Sequence, residues 1–220
     1  MTENENVMAK EGIQFFGRIS ASATHEIKNT LAIINESAGL LSDLSLMAEK
    51  KGHPLSLERI NDISQRLIRQ VQRADLVLKK MNRFSHSADL PAEIADLEKT
   101  IIFVMDLASR LVERQGTVLE IISPVSPIMV STNLFFLENM IWRAIETACH
   151  AADHEKKVTI SFGTTVSEPS IWFTMNTVKQ DRMDNLFRSK QDMALIAYLN
   201  LSMEKNSKNT GFGLLWPKRI

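Results

Sequence analysis

From Gly12 to about Lys50 apolar side chains return every three or four residues: Ile13, Phe16, Ile19, Ala23, Ile27, Leu31, Ile34, Ala38 and Leu41. That is the period of one face of a single long helix. Lys51-Gly52-His53-Pro54 places a glycine before a proline, which stops a helix, and Ser56 offers an N-cap to the next. A second stripe runs through Ile60, Ile63, Leu67, Val71, Ala74, Val77 or Leu78, Met81 and Phe84, ending near Ser85-His86-Ser87. Two helices of roughly 30 residues or more, joined by a short turn, make an antiparallel hairpin. One hairpin cannot bury a full apolar stripe on each helix, whereas two copies can, as a four-helix bundle, so a homodimer is expected.

Ser87 to Ala92 is a polar, proline-containing break, and beyond Pro91 the pattern becomes a mixture of helices and short β-branched runs. The expected domains are therefore residues 1–90 and 91–220. In the second, the pattern predicts a helix from about Glu93 to Arg114 and strands over Thr117 to Ile122 and Ile128 to Val130. A helix follows from Leu134 to His150, then strands over Val158 to Phe162 and Ile171 to Met175, and a helix from about Gln180 to Met203. The hairpin-like strand neighbours favour an α+β fold over a doubly wound sheet.

Composition narrows the partners. Lys plus Arg equals Asp plus Glu at 26 each, so no global charge calls for nucleic acid or an anionic membrane. The single cysteine, Cys149, excludes an intramolecular disulfide and suits a reducing compartment. The polar, acidic start from Met1 to Lys10 lacks the apolar core of a signal peptide, and no run approaches the ~18 to 20 apolar residues of a membrane span. A cytoplasmic protein is expected.

The chemistry centres on His25. Phosphoryl transfer to nitrogen needs a neutral imidazole with one ring nitrogen exposed, and a carboxylate beside it can hold the opposite N–H and fix the tautomer. Glu26 is the candidate for that task. Asn29, four residues on and one turn along the same face, can orient a water or an incoming aspartyl phosphate. His150 and His154, with Cys149 and Asp153 nearby, have a spacing common at helix ends and no evident third ligand, so no metal is expected there. His53 and His86 read as polar caps. Arg59, Arg66, Arg69, Arg73, Lys79, Lys80 and Arg83 read first as a solvated face, although they would attract an acidic partner surface.

The stretch from Phe16 to Ile34, with the core His25-Glu26-Ile27-Lys28-Asn29, resembles the phospho-acceptor box of bacterial sensor histidine kinases. Val71-Gln72-Arg73-Ala74 and Met81-Asn82-Arg83-Phe84-Ser85 extend the likeness over residues 12–87. The resemblance implies that Glu26 is the acid/base partner of His25 and Asn29 the phosphatase residue. It also implies a receiver-docking surface on Ala32, Ile33, Glu36, Ser37 and Leu40 and the facing start of the second helix. Thr30 stands where the family carries proline, which should straighten the helix because the N–H is restored.

Residues 93–220 resemble the ATP-binding domain of the same kinases, with losses. Asn139-Met140-Ile141-Trp142-Arg143 looks like the asparagine-rich box, but Arg143 replaces the second asparagine, which in the family helps hold the nucleotide's magnesium. The family's aspartate and glycines, which meet adenine, have no counterpart in Phe173-Thr174-Met175-Asn176-Thr177-Val178-Lys179. Asn209-Thr210-Gly211-Phe212-Gly213-Leu214 looks like the phosphate-side glycine box, where backbone N–H groups can approach phosphates. Asn139, Arg143, Gly211 and Gly213 are thus remnants of a nucleotide site. Pro217 would break a following helix, and the chain stops before the family's closing strand.

The expectation is an α+β protein in which a dimeric four-helix bundle precedes a small α/β-sandwich domain like a degenerate histidine-kinase ATPase domain. Its function is that of a histidine phosphotransfer protein in a two-component phosphorelay, with His25 shuttling phosphate between aspartates of response-regulator receiver domains. The receiver brings its own magnesium, the chain needs no cofactor, and a hybrid sensor kinase is a further possible partner. Two alternatives stay open: an ATP-dependent histidine kinase with a divergent nucleotide site, and a pseudokinase or phosphatase that docks on a kinase or receiver. With no sensor domain before the first helix, signals are expected to arrive through partners.

Overall fold

The computed structural model describes residues 3–51, 54–163 and 169–217. They form seven helices and seven strands in two compact units, residues 16–86 and residues 1–15 with 87–220. The reversal at Gly52-His53 and the segment 218–220 lie outside the described residues.

The first unit is the helical hairpin. Helix α1 (Glu3–Lys51) is continuous, and α2 (Leu57–His86) starts where Ser56 Oγ accepts the N–H of Arg59 at 3.3 Å. The start near Gly12 is corrected: α1 reaches back to Glu3, because Glu5 favours a first helical turn and residues 8, 11 and 15 have a buried face of their own. Within the hairpin, Ile63, Val77 and Phe84 of α2 are buried, as are Thr30 and Ser37 of α1. Both hydroxyls donate to the carbonyl four residues back, Thr30 to Glu26 at 3.0 Å and Ser37 to Ile33 at 2.8 Å, so neither is buried unsatisfied. Phe16 stacks on Phe84 with ring centroids 5.7 Å apart. Leu31 of α1 and Val71, Leu76 and Leu78 of α2 stay about half exposed or more within this chain. An 18-residue stretch of α1 has a mean hydropathy of 1.2, long and apolar enough by length and composition to cross a membrane.

The second unit is built on a mixed five-stranded sheet of order β2-β4-β5-β7-β6, from β2 (Val118–Ile121), β4 (Lys157–Phe162), β5 (Ser170–Met175), β6 (Ser202–Lys205) and β7 (Gly211–Leu215). Only β2 and β4 run parallel. A separate antiparallel pair joins β1 (Glu93–Asp96) to β3 (Met129–Thr132). Helices α3 (Leu97–Leu107), α4 (Ser109–Gln115) and α5 (Leu134–Ala151) supply Leu97, Ile101, Val104, Leu111, Leu137, Ile141 and Ile145 to the core, where Val158, Ile160, Ile171, Phe173, Phe212 and Leu214 of the sheet are also buried. Asn133 caps α5 by accepting the N–H of Phe136 at 3.0 Å. Gly116, at φ 64°, ends α4 in the left-handed conformation that glycine adopts without strain.

Two predicted helices differ. The one from Glu93 to Arg114 is a strand and two helices, because residues 93–96 pair with β3, Asp96 then caps α3 at the Lys99 N–H, and the helix breaks at Ala108. The one from Gln180 to Met203 is α6 (Gln180–Asp184), α7 (Lys190–Tyr198) and β6. Ser189 and Asp192 form a reciprocal capping box that starts α7 afresh, and Asn200, at φ 53°, turns the chain into β6. Helical periodicity alone passes over such restarts.

Candidate phosphoryl-transfer site and the Asn139 region

On α1, His25 and Asn29 are exposed and Glu26 is half-buried. Side chains at i and i+4 line up on a helix, whereas neighbours at i and i+1 diverge. Accordingly Asn29 meets the ring: its amide nitrogen lies 3.4 Å from His25 Nδ1. As drawn, the amide donates to Nδ1; turning the amide over presents its carbonyl instead, which accepts an Nδ1–H and leaves the Nε2 lone pair for chemistry. Asn29 is therefore a group that, beside Glu26, can bear on the tautomer of His25. The Glu26 carboxylate reaches across the hairpin, where its Oε1 accepts from Arg73 Nε at 3.1 Å and Nη2 at 3.0 Å. Thr30, in place of proline, leaves α1 unbroken below His25.

Of the proposed docking residues, Ala32, Glu36 and Leu40 are exposed and Ile33 is half-buried. Ser37 is corrected: it is 1% exposed, inside the hairpin, and offers nothing to a partner. Glu36 forms a second cross-helix pair, with Arg66 at 2.9 Å. The two pairs lie roughly symmetrically about the interhelical turn, as facing residues of an antiparallel hairpin must.

In the second unit, Arg143 of α5 is gripped by two carboxylates. Its Nη1 lies 3.0 Å from Glu11 Oε1 and its Nε 2.5 Å from Asp192 Oδ1, while Nη2 donates to Ser189 Oγ at 3.2 Å. Asn139, one turn earlier on α5 and fully buried, directs its amide nitrogen to the same Glu11 oxygen at 3.4 Å. Met8, Glu11 and Phe15 form one buried helical face, and Phe15 packs on Phe135 and Trp142 with centroids 5.5 and 6.1 Å away. Burial acts to lower the pKa of Arg143, but the carboxylates of Asp192 and Glu11 outweigh it and raise the guanidinium above its ordinary value. The sequence placed a bare cation in a metal ligand's position; the structure shows one positive charge between two negative ones.

Gly211 and Gly213 lie in strand β7 and not in a loop. A Cβ on Gly213 would stand 2.9 Å from the Trp172 indole, and one on Gly211 2.5 Å from the Phe173 carbonyl oxygen, so both glycines serve close sheet packing. His150 Nε2 meets Gln115 at 3.0 Å and His154 pairs with Asp153 at 3.3 Å. Among the described residues no three or more His, Cys, Asp or Glu gather as a metal site.

Arg73, Glu11, Ser189 and Asp192 were not singled out as site residues. A signal for Arg73 existed, since residues equidistant from a hairpin turn face each other. Glu11 carried none, because a glutamate on a helix reads as solvated until its partner is known.

No family model and no curated protein matches the chain. It is similar in structure to the Acinetobacter baumannii histidine kinase AdeS, at 14% identity over 89% of this chain and 98% of that one, with a TM-score of 0.47. The catalytic domain of histidine kinase ThkA matches 59% of this chain and 98% of its own length at 12% identity and a TM-score of 0.45. The cytoplasmic segment of histidine kinase QseC matches 68% and 95% at 10% identity and a TM-score of 0.44.

Proposed function

We propose that the chain is a histidine phosphotransfer protein of a two-component system, in which His25 takes phosphate from an aspartyl phosphate of one receiver domain and passes it to another. The observation that carries this reading is an exposed imidazole with the Asn29 amide beside it, 3.4 Å from Nδ1. Acyl phosphates are energetic donors, so the protein supplies geometry and the receiver its own magnesium; no other cofactor is needed. Receivers, that of a hybrid sensor kinase among them, dock on Ala32, Ile33, Glu36 and Leu40. The unburied apolar side chains of the hairpin support a homodimer, whose four-helix core would cover them. Glu36 and Asp43, both within the most apolar part of α1, favour a cytoplasmic helix over a membrane span. No nucleic acid partner is implied.

The test is to incubate the purified protein with a phosphorylated receiver and, separately, with γ-labelled ATP and magnesium. Label on His25 from the receiver alone is expected. Label from ATP would make the protein a kinase, and label from neither would favour a docking pseudokinase.

A further inference from the structure

Resting on the phosphotransfer reading, we propose that Arg73 binds the phosphoryl group as it reaches and leaves His25, exchanging the Glu26 carboxylate for phosphoryl oxygens. A phosphoryl group arriving at His25 brings about two negative charges next to Glu26, the adjoining residue, and like charges at that range repel strongly unless a cation stands between them. Arg73 is the cation the hairpin holds there, through two N–H groups on a single Glu26 oxygen. Its planar fork matches a phosphoryl group's oxygens as readily as a carboxylate's. The side chain is 57% exposed, and an exposed ion pair is weak, so the exchange of partners is cheap. Arg66 is no substitute: its partner Glu36 is ten residues, about 15 Å, farther along α1.

The step balances without a further reactant. The Nε2 lone pair of neutral His25 forms the N–P bond while the P–O bond of the receiver's aspartyl phosphate breaks, its electron pair leaving on the aspartate oxygen. The Nδ1 proton stays on the ring, which requires the Asn29 amide to turn its oxygen toward Nδ1, and Arg73 neither gains nor loses a proton.

Potassium phosphoramidate, whose P–N bond breaks with loss of ammonia, probes the site without any receiver. The wild-type chain, Arg73→Ala, Arg73→Gln, Arg73→Lys, Glu26→Gln and Glu26→Gln/Arg73→Gln are each treated with it, and phosphohistidine is followed by ³¹P NMR. Arg73→Gln, which keeps most of the side-chain stem, should slow phosphorylation ~10-fold or more, with partial recovery in Arg73→Lys and unchanged circular dichroism. The loss should persist in the Glu26→Gln background. If Arg73→Gln matches wild type, or loses its effect once Glu26 is Gln, Arg73 only holds Glu26 and the proposal fails. A wild-type chain that gains no phosphohistidine on His25 removes both the phosphotransfer reading and this proposal.

Discussion

Glu11 and Arg143 stand 132 positions apart in the chain and meet at 3.0 Å, with only 2% and 17% of their side chains exposed. A buried ion pair contributes modestly when intact, because its attraction offsets the desolvation of both charges. Breaking it is different, since the survivor is left buried and uncompensated. Glu11→Ala should therefore cost about 3 to 5 kcal/mol, although Asp192 keeps one partner on Arg143 and favours the lower end. Thermal unfolding should show a Tm lower by several degrees, at roughly 2 to 4 °C per kcal/mol for a chain of this size. The triple change Glu11→Met/Arg143→Met/Asp192→Leu should recover most of the loss. A Glu11→Ala protein as stable as wild type would mean that the pair is not buried in solution.

The apolar stripe left uncovered on the hairpin leads to a second expectation. Leu31 and Val71 are 49% and 58% exposed in the single chain, and completing their burial releases about 1 kcal/mol each, roughly half the value of burying a fully exposed side chain. Light scattering at micromolar concentration should give twice the 24.9 kDa of one chain. Val71→Glu should shift the mass toward one chain. A wild-type mass of a single chain would refute the four-helix bundle.

The proposed docking of receivers on the exposed row Ala32, Glu36 and Leu40 gives a third test. Glu36→Lys removes a carboxylate from Arg66 and sets two cations together, so transfer from a cognate receiver should slow by at least an order of magnitude through a weaker complex. Ser37→Ala, inside the hairpin, should leave transfer unchanged. Equal rates for wild type and Glu36→Lys would move the docking surface elsewhere.

These positions show how far the sequence reaches. The two long helices, the cap at Ser56 and the placement of His25 with Asn29 on one face were legible because helical period and the i, i+4 relation are local. Strand β1 and the broken helix after Gln180 were not: Glu93–Asp96 becomes a strand only by pairing with Met129–Thr132, and the restart at Ser189 depends on one capping box. The environment of Arg143 was the least legible part, because both carboxylates that neutralise it come from segments distant in sequence, and their charges look solvated when read alone.

Cys149 yields a pH prediction. Burial, the largest influence, pushes its thiol up from 9.0 to about 11, with Glu146 adding to the rise against opposing effects of Thr117 and Lys156. The neutral thiol is the form the fold favours. Its contribution to stability is full below pH 9.0 and is lost as pH rises toward 11. The thiolate fraction at pH 8 is about one in a thousand, so a disulfide reagent should modify native protein slowly and denatured protein at once. Rapid native labelling at pH 8 would contradict this environment.

The last prediction concerns ATP. Read alone, Arg143 would repel a magnesium ion, but its charge is already matched by Glu11 and Asp192, and the three groups together carry a net charge of −1 when ionised. The obstacle to nucleotide is therefore of another kind. For Arg143 to take a phosphate it must leave two buried carboxylates, which would then be uncompensated, and the polyanion would meet negative charge at the contact. Asn139 is also engaged, through its amide nitrogen on Glu11. Phosphoryl transfer from ATP depends on holding metal and nucleotide together, and here the residues that would do so hold one another. Titration calorimetry with ATP and magnesium should show no saturable heat at millimolar nucleotide, and γ-labelled ATP should leave His25 unlabelled. Glu11→Gln, which removes one negative charge while keeping a polar group on Arg143, should still fail to bind, since Asp192 remains in place. Saturable ATP binding by the wild-type chain would show that the Glu11–Arg143–Asp192 cluster opens readily and would return the protein to the kinases.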